Sequence, residues 1–221
     1  MNQFNVIDLT IAPSEAVAIW PGGPGYKRTF FREIKNSDPT NDSLIAYDVH
    51  VGTHIEGPLH RGLGGAGLRD FFKTSTVFLK AQVIECKEET PVLTDFSTVD
   101  RSTQVLLVKT YNSRSGLLTK SFTQNYSSMN MEIAEYLVGF DDLQVIGWDY
   151  ISLEAYDSDG GVHKELFQQG KLILESVNLE SANAGYYIAC ISGALDDEAE
   201  AATCQVSLLA PDITHYAGRR I

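Results

Sequence analysis

The chain has 221 residues, 43% of them hydrophobic, and a formal net charge of −12. That length suits one large domain over residues 1–221 with a substantial core, and a field of that sign without any Lys/Arg-rich run excludes nucleic acid and anionic membranes as partners. The N-terminal stretch lacks the basic start and long apolar core of a secretory signal, and no segment approaches about 18 uninterrupted apolar residues, so a cytoplasmic location is expected.

The first strand-like run is Asn5 to Thr10, followed by Trp20-Pro-Gly22 and a glycine-rich loop near 22–25. The next runs from Ala46 to Glu56 and enters the segment with the densest chemistry, His50-Val-Gly-Thr-His54-Ile-Glu56-Gly-Pro-Leu-His60. Three of the five histidines and a carboxylate fall within eleven residues. Imidazole nitrogen and carboxylate oxygen are the usual ligands of a borderline divalent ion such as zinc or manganese, so the cluster reads as a metal site. Positions 50, 54, 56 and 60 share one face of an extended strand. At roughly 3.3 Å per residue, however, His50 and His54 would stand about 13 Å apart, too far to share an ion. The backbone must bend there, and Gly52 and Gly57-Pro58 supply the means.

Beyond it, Gly62-Leu-Gly64-Gly-Ala-Gly67 has dinucleotide-loop spacing in the wrong context. It follows the histidine cluster instead of a buried strand, and so reads as a flap beside the metal site. Further strands are expected over Val77 to Cys86, Val105 to Thr110, Val145 to Tyr150, Leu172 to Leu179, Tyr186 to Ile191 and Thr203 to Leu209. Helices are expected over Met131 to Phe140, with Ile133, Tyr136, Leu137 and Phe140 on one face, and over Val162 to Gln169, capped from Asp157 to Asp159 and closed by Gly170. Many strands with a few separated helices predict a strand-rich mixed α/β domain. Neither the glycine loops nor the acidic stretch Asp196 to Glu200 is long enough to be an interdomain linker. Cys86, Cys190 and Cys204 sit in apolar runs without metal-site spacing and read as reduced core residues. Glu175 lies in the apolar run Leu172-Ile-Leu-Glu-Ser-Val, where a charge without a partner is expensive. A metal ion would resolve that cost. Trp20, Phe71 and Phe72 are candidates for the wall of an apolar pocket.

Residues 50–60 resemble the motif His-x-Gly-Thr-His-x-Asp-x-Pro-x-His of the cyclase-like metal-dependent hydrolases, which include bacterial kynurenine formamidase and isatin hydrolase, with Glu56 in place of the aspartate. Val6-Ile-Asp-Leu-Thr10 and Trp20-Pro-Gly22 resemble that family's opening, with Gly23 where an aspartate is common. Asp149-Tyr-Ile-Ser152, His163 and Leu174-Glu175 resemble its later segments, and Tyr186 to Ser192 and Gln205 to Ala210 its closing strands.

The resemblance implies a swivelling β/β/α fold and a homodimer. It implies that His50, His54 and Glu56 hold one ion, that His60 and Glu175 hold a second with Glu56 as the candidate bridge, and that His163 is the acid/base. The expected activity is hydrolysis of an amide-type C–N bond in a small organic substrate, such as an N-formyl aryl amine or cyclic amide, by metal-activated water. A metal-dependent lyase, isomerase or cyclase could use the same ligands, and a closed coordination sphere would mark a metal- or metabolite-binding protein instead. The extra methylene of Glu56 leaves the number of ions, one or two, open. His215 has no assigned role.

Overall fold

The computed structural model describes residues 5–64, 68–193 and 199–210. Among the described residues ten strands occur in chain order: β1 (Asn5–Asp8), β2 (Tyr26–Arg32), β3 (Asp42–Tyr47), β4 (His54–Glu56), β5 (Thr76–Glu85), β6 (Val105–Lys109), β7 (Val145–Trp148), β8 (Leu172–Glu175), β9 (Gly185–Gly193) and β10 (Ala201–Ala210). Four helices accompany them: α1 (Leu68–Phe71), α2 (Tyr111–Arg114), α3 (Met131–Val138) and α4 (Gly161–Gln168). The strand-rich α/β class expected from the sequence is therefore what the chain forms.

Seven strands close into a ring in the order β10, β4, β8, β7, β6, β5, β9, because β10 pairs with both β4 and β9; β1 adds to β10 beyond the end of β4. The pairs from β5 to β8 are parallel, and the chain between them passes through α2, α3 and α4. Side chains alternate across these strands. Val105, Leu107, Leu174 and Val206 fill the barrel, whereas Leu106, Val108, Ile146, Trp148 and Ile173 pack outward against α3 and α4. Both faces are covered, which is why these strands read as continuous apolar runs.

Asn130 caps α3 by accepting from the Ile133 amide at 3.0 Å, and Ile133, Leu137 and Phe140 are buried as the helical spacing requires. Gly170, at φ 71°, closes the chain after α4. Helix α4 starts differently from expectation: its N-cap is Gly160, and although Asp159 accepts from the Gly161 amide, the amides of Val162 and His163 point at the carboxylate of Glu154. Cys86, Cys190 and Cys204 are free, and burial pushes the Cys86 thiol up to about 12 and the Cys204 thiol upward as well. No helix among the described residues is long and apolar enough to cross a membrane.

The expected continuous strand over 46–56 is corrected: β3 ends at Tyr47, a turn follows, and β4 begins at His54. Gly52 sits in that turn at φ 77°, and a Cβ there would stand 2.4 Å from the Ile11 carbonyl oxygen. Only glycine permits this approach, which lets Thr53 accept from the Ile11 amide and donate to the Ser176 carbonyl. A β2–β3 hairpin that the sequence reading did not find stands outside the barrel. Residues 65–67 of the glycine run, 196–198 of the acidic stretch, and His215 lie outside the described residues.

Candidate metal centre

The centre forms on the outer face of the barrel, where β4 meets β8. His54 and Glu175 are directly paired across these strands, and Glu56 points to the same side as His54 by the two-residue period. The turn before β4 folds His50 back until its ring lies 5.1 Å from that of His54, replacing the separation of about 13 Å in a straight strand. Gly57-Pro58 starts a single 3₁₀ turn over Pro58–Arg61, closed by Gly62 at φ 66°, and this turn carries His60. Helix α4 lies across the open side and contributes His163.

Three histidines share one design. His50 Nδ1 donates to Asp48 at 2.8 Å, His54 Nδ1 to the Gly52 carbonyl at 3.0 Å, and His163 Nδ1 to Glu154 at 2.5 Å. Each outer acceptor takes the Nδ1 proton and turns the ring so that Nε2 faces inward, the usual support of a metal-binding imidazole. Those Nε2 atoms converge on two buried carboxylates. His163 Nε2 is 3.0 Å from Glu56 Oε1 and 3.4 Å from Glu175 Oε1, while His54 Nε2 is 3.5 Å from Glu175 Oε2. Glu175 is also anchored by the Leu153 amide at 2.7 Å.

His60 is placed otherwise. Its Nδ1 meets His50 Nε2 at 3.1 Å, its Nε2 lies 3.4 Å from Glu56 Oε2, and its side chain remains 24% exposed where His163 is 1% exposed. Burial, aided by His50 and Arg61, outweighs Glu56 and lowers the His60 pKa. Burial also opposes charge on His163, but Glu154, Glu175 and Glu56 outweigh it and hold that imidazole well above the ordinary histidine value. The Glu154 carboxyl, despite its burial, is brought down to about 2 by His163 and the Val162 amide.

These donors fit a divalent ion. Both oxygens of Glu56 and the Nε2 of His54 are buried without a hydrogen-bond partner, an arrangement too costly to persist unless a ligand satisfies it. Two ligand sets are within reach, His50–His54–Glu56 and Glu56–His163–Glu175, with donor atoms inside each set no more than 4.8 Å apart. Glu56 belongs to both, and its longer side chain directs one oxygen to His163 and the other to His60 and His50. All six residues singled out in the sequence thus meet in one cluster.

Sequence reading missed Asp48 and Glu154. A carboxylate two residues before a ligand histidine, and another just ahead of the helix bearing His163, were the available signals. Glu154→Gln is expected to weaken metal affinity about 10–100-fold, as losing a carboxylate behind a ligand histidine generally does. Isothermal titration with zinc after chelation checks it.

A cavity of about 240 Å³ opens onto the cluster and is lined by Trp20, Asp48, Arg61, Ile151 and Ser152 together with the histidines and glutamates. Trp20 packs against Phe122 and Tyr156 with ring centroids 5.5 and 5.2 Å away. Phe71 and Phe72 do not wall this cavity. Phe72 is buried in the barrel interior and Phe71 packs beside it, because an apolar pair at the end of α1 is drawn to the nearest core.

A closed barrel with a histidine–glutamate cluster gathered under α4 defines a cyclase-type α/β domain with a centre that could hold a divalent metal. The chain belongs to the putative cyclase family, whose model matches residues 7–155. It is 24% identical to cyclase-like protein 1 of Arabidopsis thaliana over 82% of this chain and 76% of that protein. It is 25% identical to a kynurenine formamidase of Bacillus cytotoxicus over 85% of this chain and 88% of that protein. Among solved structures, a predicted metal-dependent hydrolase from Bacillus stearothermophilus superposes with a TM-score of 0.76 at 24% identity, covering 94% of this chain and 98% of that one. Isatin hydrolase A from Ralstonia solanacearum gives 0.70 at 16% identity, covering 94% and 92%.

Proposed function

We propose that the protein is a metal-dependent hydrolase that cleaves an amide-type C–N bond of a small organic substrate, an N-formyl aryl amine or a cyclic amide, in the cytoplasm. The observation that carries this reading is the convergence of three imidazoles held at Nδ1 and two buried carboxylates, several of their atoms unpartnered, at the floor of a cavity walled by Trp20. The similarity to kynurenine formamidase and isatin hydrolase supports the bond type.

His50, His54, Glu56, His163 and Glu175 would hold the metal, zinc or manganese by the nature of the donors. A divalent ion there would supply Lewis acidity, lowering the pKa of water and polarising a carbonyl. The chain's own residues do the rest. Glu56 and Glu175 hold the buried imidazoles in place and would balance the charge of the ion, and Trp20 orients a ring. His60, exposed to the cavity and kept neutral by its surroundings, accepts the proton of the attacking water and returns it to the leaving nitrogen. The C–N bond breaks as the C–O bond forms, yielding a carboxylic acid and an amine. This exchanges the roles that the resemblance suggested for His60 and His163: His163 is buried, braced by Glu154 and aimed at both glutamates, which suits a ligand better than a proton carrier.

The test uses chelated protein, purified without a histidine tag and reloaded with zinc or manganese, against N-formylaniline and isatin. Appearance of isatinate from isatin, or of aniline and formate from N-formylaniline, only in the reloaded sample supports the reading; a lyase or isomerase would release no carboxylate from an amide.

A homodimer forms part of the same proposal. The β2–β3 hairpin exposes Phe30, Phe31 at 66% and Leu44 at 63%, a surface that an isolated two-stranded ribbon cannot bury on its own. Light scattering is expected to give a dimer for the native chain and a monomer for the Phe31→Asp/Leu44→Asp double variant. A native monomer would refute it.

A further inference from the structure

Arg61 is the one Lys or Arg among the described residues lining the cavity, in a chain whose overall charge is −12. It follows His60 in the 3₁₀ turn, so its backbone is fixed to the same segment as the proposed proton carrier. Its guanidinium lies against Gly160: a Cβ at that position would stand 3.3 Å from both Cζ and Nη1, so glycine leaves the room in which the planar group rests. Arg61 makes no hydrogen bond or ion pair with any described residue, and the nearby carboxylates are engaged elsewhere. Asp48 holds His50, Glu154 holds His163 and the first amides of α4, and Glu56 and Glu175 face the ligand histidines.

From this we infer that Arg61 makes the site selective for amides bearing a carboxylate at the cavity mouth, away from the bond that is cleaved. A guanidinium presents two parallel N–H donors that match a carboxylate, and the chain's own field would otherwise repel such a substrate. The amide in this substrate class rests on the hydrolase reading; its anionic group rests on Arg61 alone.

The experiment compares N-formylanthranilate with N-formylaniline on the reloaded wild type, Arg61→Met and Arg61→Lys. Methionine keeps much of the aliphatic stem and removes the charge. The wild type is expected to favour the carboxylated substrate about fivefold in kcat/KM, mostly through KM, as a charge-assisted pair at an exposed arginine allows. In Arg61→Met the preference falls to near unity, and Arg61→Lys restores part of it. An unchanged ratio in Arg61→Met overturns the inference. If the wild type hydrolyses neither compound, the hydrolase reading falls, and calorimetric binding of anthranilate against 2-aminobenzamide decides the point. A preference for anthranilate that shrinks about fivefold or more in Arg61→Met supports Arg61, and equal ratios in the two proteins reject it.

Discussion

Glu56→Gln is expected to reduce metal affinity and hydrolysis together, each on the order of 10³-fold, because it removes the ligand common to both sets of donors. The substituted amide keeps the size of the side chain and loses the charge. One of its two terminal atoms becomes an NH₂ that cannot ligate, so whichever way the group turns, either the His163 side or the His50 and His60 side faces a donor in place of an acceptor. A thermal readout separates this from misfolding. A site filled at about 100 times its dissociation constant stabilises the native state by about 2.7 kcal/mol, which for a chain of this size raises Tm by about 5–10 °C. Native protein should show that rise on adding zinc or manganese. Glu56→Gln should show none, while retaining the circular dichroism of the wild type.

His60→Asn and His163→Asn are expected to fail in different ways. His163 is enclosed, its Nδ1 is committed to Glu154, and its Nε2 faces two carboxylates, so losing it removes a ligand and the metal-dependent rise in Tm. His60 lies at the mouth, where a substrate can reach it, and its loss should leave metal uptake intact while hydrolysis falls about 10²–10⁴-fold, the usual worth of a positioned acid/base. Metal content beside activity for the two variants checks the assignment. The reverse pattern, metal lost with His60 and kept without His163, would restore the roles that the family motif suggested.

Much of the barrel was legible because its strands are buried on both faces, so Val105 to Thr110 and Leu172 to Leu179 stand out as apolar runs, the first within a residue of β6 and the second running past the end of β8 at Glu175. The β2–β3 hairpin was not, since Tyr26–Arg32 and Asp42–Tyr47 are mostly exposed and show no buried face to impose a period. The histidine segment announced itself by composition, and the need for a bend followed from the rise of a strand. How the bend is made, by a turn at Gly52 pressed against the Ile11 carbonyl, depends on a chain crossing some forty residues away and has no local signature. Asp48 and Glu154 were passed over for a related reason. A carboxylate in a loop looks solvated until a histidine is seen to need it. Phe71 and Phe72 failed in the opposite direction: an aromatic pair reads the same in a core as beside a pocket, and only the closed barrel shows which it joins.

Elemental analysis of the native, untagged protein after chelation and reconstitution with zinc or manganese tests the metal centre itself. One or two ions per chain are expected to stay bound through gel filtration, and none in Glu56→Gln processed alongside. Retention of no ion by the native chain, or equal retention by both proteins, would contradict that centre.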